Sequence, residues 1–200
     1  MVKYHLGCGG TIKPGMVNVD GYSPKADIRA NVLTMDYKPC DVIESHHMFE
    51  HFGYVNSFVL LIKWTLALVV NGHLIIDVPD PAGIAEAMTN GNNRRARAAM
   101  RLMFGSHEHD QWAFHINGWT ESLFRDTLTL LGYKVTGIRK YGAPVGDFPH
   151  MGIEVVARKV RSISKSALIT TAKTLLKDYT HPSETVLYRC YCDQLSKALS

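Results

Sequence analysis

The sequence predicts an α/β fold: a three-layer sandwich built on a mostly parallel seven-stranded sheet with an antiparallel last strand and a reduced first helix. Three observations predict it. Short apolar runs alternate with stretches of helical periodicity, the pattern of strands joined by crossovers. The first run ends in a glycine turn, Gly7, Cys8, Gly9 and Gly10, and the second ends in a carboxylate, Asp20. The last two runs are separated by a short Gly- and Pro-rich loop, which suits an antiparallel pair.

Residues 2–6, 16–19 and 27–30 are the first three strand-like runs, the third weaker than the others. Residues 41–45 form a fourth, introduced by Pro39. Helical spacing over residues 55–70 follows, closed by Asn71 and Gly72. Residues 73–78 read as a fifth strand, stopped by Pro79 and Pro81. Thr120 is a good helix cap for residues 120–131, where Leu123, Phe124, Leu128 and Leu131 share a face and Gly132 ends the helix. Residues 133–138 and 153–158 are strands six and seven.

Between the glycine turn and the second strand stand only residues 11–15. A parallel crossover needs about a dozen residues, so the first helix is missing or reduced to a turn. From residue 162 the character changes. Leu168, Ala172, Leu175, Leu176 and Tyr179 have helical spacing, and Leu187, Tyr191 and Leu195 repeat it after Pro182. The division is therefore a domain over residues 1–160 and a helical extension over 161–200. The extension's apolar stripe serves packing onto the core or a homodimer contact.

At 200 residues the chain suits one core, and its formal charge of +4 fits an anionic ligand without making a nucleic-acid footprint. Cys8, Cys40, Cys190 and Cys192 have no framework spacing, and no signal-peptide pattern opens the chain, so a reduced, cytoplasmic protein is expected. The most apolar run, residues 58–70, holds Lys63 and falls short of the ~20 residues of a membrane span.

A glycine turn after one strand and an acid at the end of the next are how an open α/β sheet grips a nucleoside. Glycine admits close backbone approach, and the acid accepts hydrogen bonds from ribose hydroxyls. With Leu6, Gly7, Cys8, Gly9 and Gly10, then Pro14, Gly15, Met16, Val17, Asn18, Val19 and Asp20, the chain resembles the class I S-adenosylmethionine-dependent methyltransferases. The likeness is to a small-domain group, and it extends to His47-x-x-Glu50-His51, to Asp77 with Asp80, and to His115, Gly118 and Thr120, in order over residues 1–158. It implies a Rossmann-like sandwich with S-adenosylmethionine (SAM) as cofactor. Gly7, Cys8 and Gly9 would line its methionine side, Asp20 its ribose and Asn31 its adenine amine, with Ser45 and His46 at the end of strand four completing the set. His5 and Met16 depart from the family pattern, which usually has an acid and an aromatic there.

Other readings fare worse on the letters. A dinucleotide fingerprint wants a glycine where Ile12 stands, and Pro39-Cys40 precedes strand four where a cytosine-methylating nucleophile would follow it. His47, Glu50 and His51 also spell an inverted zinc-hydrolase motif, which needs both histidines on one helix face. A SAM-binding protein without turnover is a further alternative; no metal ligand set is assigned.

Methyl transfer from a sulfonium is an in-line displacement, so catalysis lies mostly in holding the acceptor near the methyl. A hydroxyl acceptor must also lose its proton, and a histidine suits that work. Candidates are His46, His47, His51, His107, His109 and His115, with His115 first and His47 second. Residues 90–118 read as a lid. Arg94, Arg95, Arg97 and Arg101 beside Trp112 and Phe114 suit a small anionic or sugar-containing acceptor, and nucleic acid is disfavoured because the basic residues do not extend into a long stripe. The expected reaction is O-methylation of a polar small molecule such as a sugar or glycan precursor.

Overall fold

The computed structural model describes residues 1–90, 92–108, 111–142, 144–145, 148–149 and 151–200. In chain order the strands are β1 (Val2–Leu6), β2 (Val17–Asp20), β3 (Ile28–Arg29), β4 (Cys40–His46), β5 (Leu68–Pro79), β6 (Tyr133–Tyr141), β7 (Pro144–Val145), β8 (Phe148–Pro149) and β9 (Gly152–Lys159). The helices are α1 (Tyr54–Ala67), α2 (Pro81–Asn90), α3 (Asn93–Phe104), α4 (Glu121–Leu130), α5 (Lys165–Leu176) and α6 (Thr185–Ala198). Seven strands form one sheet in the order β3-β2-β1-β4-β5-β9-β6, while β7 and β8 pair separately. The pairings among β1 to β5 are parallel, and β9 runs antiparallel to both β5 and β6. The expected sheet is therefore present, antiparallel last strand included.

The two faces of the sheet differ. Tyr4, Leu6, Ile43, Leu74, Ile76 and Val155 are buried on one, under α1 and α4. Residues at the alternate positions, Val42, Glu44, Ile75, Glu154 and Val156, are only half-buried. Residues 7–16, which join β1 to β2, contain no helix, as the short crossover requires. Lys13 reaches across this second face to the Glu44 carboxylate. A polar row results, with His46 Nδ1 3.2 Å from Asp77 Oδ2 and the Tyr141 hydroxyl donating to both Asp77 oxygens.

The helix expected over residues 55–70 stops at Ala67. Leu68 is extended and pairs with Cys40, and Asn71 with Gly72 forms a bulge within β5 where a helix stop was expected. Two carbonyl oxygens lie 2.9 Å from where a Gly72 Cβ would stand, which is why glycine is needed there. The Lys159 ammonium, buried, donates to the carbonyls of Thr65 and Leu68 at 2.6 and 2.7 Å and so satisfies the end of α1.

Thr120 caps α4 by accepting from the Leu123 amide, but Leu123 itself is exposed while Phe124, Leu128 and Leu131 are buried. Of the two helices after β5 only α3 falls in the expected lid, and α2, which precedes it, packs on it around a small core of Ile84, Ala87 and Ala99. Leu168, Ala172, Leu176 and Leu195 of α5 and α6 join the main core beside α1, whereas Val186 and Leu187 stay exposed. The described cysteines are free thiols, and among the described residues no helix is long and apolar enough to cross a membrane.

Candidate active site

A cavity of about 560 Å³ opens at the carboxyl ends of β1, β2, β3 and β4. This is the point where β1 sends the chain to β2 on one side while pairing β4 on the other, the place where open α/β sheets bind ligands. Gly7, Gly9, Asp20, Asn31 and His47 are in its wall.

The Asp20 carboxylate holds the turn together. Its Oδ2 accepts from the Gly9 amide at 2.9 Å, and its Oδ1 from the amides of Tyr22 and Ser23 at 2.7 and 2.8 Å. Burial pushes its pKa up, but these three donors outweigh burial and hold it below the ordinary value. A carboxylate has about four acceptor positions, so one is left for a ligand while the turn is closed.

Other expected residues lie elsewhere. Cys8 is buried outside the cavity wall, its amide bonded to the Val19 carbonyl and its thiol pushed up by burial. Ser45 shares the core face with Leu6 and Ile76 and is fully buried. His46 points to the half-open face, 2.9 Å from Lys13 Nζ. Alternation along β4 explains the split: Ser45 falls on the core face and His46, the strand's last residue, on the half-open face, and the chain reaches the cavity wall only at His47. His109 lies outside the described residues.

The two leading histidines are placed differently. His47 lines the cavity at φ 46°, with Nε2 3.3 Å from the Tyr141 hydroxyl and Nδ1 3.4 Å from Glu50 Oε1. Glu50 raises the His47 imidazole above its ordinary value despite burial. His115 is absent from the large cavity; it borders a small hollow with Glu50 and Leu102, and burial lowers its imidazole against the pull of Glu50. His51 lines the cavity beside it, the rings 5.0 Å apart. His107 is exposed, stacked on Phe114.

The zinc-hydrolase geometry is absent. His47 is left-handed and precedes a single 3₁₀ turn over Phe49–His51, so His47 and His51 do not share a helix face. Arg94, Arg95, Arg97 and Arg101 are all exposed on α3 and none lines the cavity. The cavity's arginine is Arg29, at the end of a strand only two residues long, with Tyr22, Met48 and Phe52 in the same wall. Sequence reasoning missed these four. Position after the carboxyl end of a strand was the one signal that could have found them. Trp112, from the lid, meets Tyr22 edge-on at 6.1 Å over the cavity.

Solved structures of similar shape include SAM-dependent methyltransferases. A SAM-dependent methyltransferase of Methanosarcina mazei matches with a TM-score of 0.53 at 10% identity, over 78% of this chain and 91% of that one. The fold is that of the class I methyltransferases. A second match is the 1,6-didemethyltoxoflavin-N1-methyltransferase of Burkholderia thailandensis, solved with 1,6-didemethyltoxoflavin and S-adenosylhomocysteine (TM-score 0.51, 13% identity, 80% of this chain and 71% of that one). A third, from Bordetella parapertussis, is described as a possible exported protein (TM-score 0.50, 16% identity); 80% of this chain matches, over 62% of that one's length. No family model matches the sequence. No curated protein matches it either. Within the methyltransferase fold the cavity occupies the switch point, with the glycine turn and Asp20 on its floor.

Proposed function

We propose that this protein is a SAM-dependent methyltransferase acting on a polar small molecule. The observation that carries it is the joint placement of Gly7, Gly9 and Asp20 in the wall of a cavity at the carboxyl ends of the strands. Gly7 and Gly9 leave room for the methionine portion, Asp20 offers an acceptor to the ribose, and Asn31 stands where an adenine amine would lie. Tyr22 and Trp112 supply aromatic surface over the same space.

Transfer to oxygen suits the cavity best. A hydroxyl nucleophile needs a proton acceptor, and His47 faces the cavity with Glu50 behind it. A carboxylate behind an imidazole orients the ring and stabilises the imidazolium formed when the proton arrives. His115 acts less directly, since Glu50 stands between it and His47. An acceptor bearing a carboxylate or phosphate, or a sugar attached to one, would meet Arg29.

Calorimetric titration with S-adenosylhomocysteine tests the reading, with Asp20→Ala beside the wild type. Micromolar binding that weakens about tenfold or more in the variant, a loss near ~1.4 kcal/mol, supports it. Absence of binding by the folded wild-type chain sinks it. Transfer of labelled methyl from SAM to a panel of hydroxylated and phosphorylated sugars then separates an enzyme from a binding protein.

A further inference from the structure

Glu50 is 2% exposed, yet among the described residues no donor reaches either of its carboxylate oxygens in hydrogen-bonding geometry. His47 Nδ1 stands 3.4 Å and His115 Nε2 3.9 Å from its Oε1. A buried carboxyl group without hydrogen bonds is costly and calls for a compensating group. Around it, one ligand atom each from Glu50, His51 and His115 lies within 4.8 Å of the others.

The two imidazoles are held ready to donate electrons to a cation. His115 Nδ1 lies 2.8 Å from the Leu102 carbonyl, and His51 Nδ1 lies 2.8 Å from the Phe114 carbonyl. A carbonyl only accepts, so each Nδ1 carries the proton and each Nε2 carries a lone pair. This arrangement, one ring nitrogen bonded to a backbone carbonyl and the other free, is how metal-binding histidines are oriented. The chain around the cluster is tied as well. The amides of Ile116 and Asn117 donate to the Glu50 carbonyl at 3.0 and 3.2 Å, which fixes the segment carrying His115 against the turn carrying Glu50 and His51.

We propose that Glu50, His51 and His115 bind a divalent transition-metal ion, zinc foremost. Two imidazoles and a carboxylate suit Zn²⁺ and its first-row neighbours better than Mg²⁺ or Ca²⁺, which prefer all-oxygen shells. Ligand bonds of ~2.0–2.2 Å bring donor atoms to within roughly 3.5 Å of one another, so binding draws the cluster together by about an ångström. The ion neutralises the buried Glu50 and fastens the lid to the cavity wall. Three protein donors leave a tetrahedral ion one position for water or another ligand. The motif His47-x-x-Glu50-His51 thus contributes only its last two residues, and the second imidazole comes from a segment 64 positions beyond His51 in sequence, as the numbering shows.

The test uses the full chain, dialysed against a chelator and titrated calorimetrically with Zn²⁺ alone. One equivalent should bind, and Glu50→Gln and His115→Ala should each weaken binding about tenfold or more. Circular dichroism confirms that both variants are folded. X-ray absorption at the zinc edge of the wild-type complex counts ligands without any substitution, and two imidazoles are expected. No zinc binding by the wild type overturns the proposal, as does a spectrum with fewer than two imidazoles. Binding that survives both substitutions but is lost in Asp77→Asn also overturns it, placing the ion at His46, Asp77 and Glu154 on the sheet face. S-adenosylhomocysteine binding is measured separately, so loss of the cofactor pocket and loss of the metal site are told apart.

Discussion

Gly7 sits at φ 68°, and Met48 Cβ lies 2.7 Å from where a side-chain methyl would stand. Two costs therefore fall on one substitution. Left-handed backbone costs an L-residue roughly 1–2 kcal/mol, and the clash forces Met48, itself in the cavity wall, to move. Gly7→Ala should lower stability by at least about 1 kcal/mol in chemical denaturation and weaken S-adenosylhomocysteine binding. Gly9, also left-handed, has nothing within 4 Å of the same position, so Gly9→Ala should cost only the backbone term. Equal losses at the two positions would count against the Met48 contact as the reason for glycine.

At the scale of elements, what was legible followed from chain-local signals. The glycine turn, the acid after β2, the Thr120 cap and the short first crossover each depend on a few adjacent residues, and each is where the sequence put it. Signals that depend on partners were lost. Leu68, Val69 and Val70 continue an apolar run from α1, and it is the pairing of Leu68 with Cys40 and the Lys159 ammonium at the Thr65 and Leu68 carbonyls that end the helix there. Ser45 and His46 were legible as the end of β4 but not by face, because a strand end does not announce its parity. His115 belonged to the right segment, yet its distance from the cavity is set by how α2 and α3 pack, which periodicity does not report. The end of α1 can be probed directly. Lys159→Met removes both donors to its last carbonyls, at roughly 1–3 kcal/mol for hydrogen bonds from a charged group. A drop in the urea midpoint is expected, and an unchanged midpoint would mean that water replaces the ammonium at no cost. Leu195→Ala probes the extension in the same assay. A fully buried leucine against the main core should cost about 2–5 kcal/mol, whereas a residue serving only a contact between chains would cost little in dilute solution.

Across the whole molecule, the half-open sheet face and the carboxyl edge concentrate carboxylates that are ionised at a cost offset by specific donors. For Asp20, Glu44 and Asp77, burial alone raises the pKa, and in each case hydrogen bonds outweigh it: backbone amides at Asp20, Lys13 and His46 at Glu44, His46 and Tyr141 at Asp77. All three therefore stand below their unfolded values of roughly 3.9–4.3. The unfolded chain takes up protons first as the solution is acidified, so the stabilisation is complete above those values and is lost as pH falls through the folded ones. Nearer neutrality the histidines oppose one another. His47, raised by Glu50, gains stability below the unfolded histidine value, while His115 and His5, both lowered by burial, lose it there. Urea midpoints should accordingly drop modestly between about pH 7.5 and 5.5 and then fall steeply below about pH 4.5. Glu44→Gln should flatten the acid limb, because it removes one of the three carboxylates without emptying its place on the sheet. A midpoint that holds constant or rises on acidification to about pH 3 would show that these donors do not favour the ionised carboxylates in the folded protein.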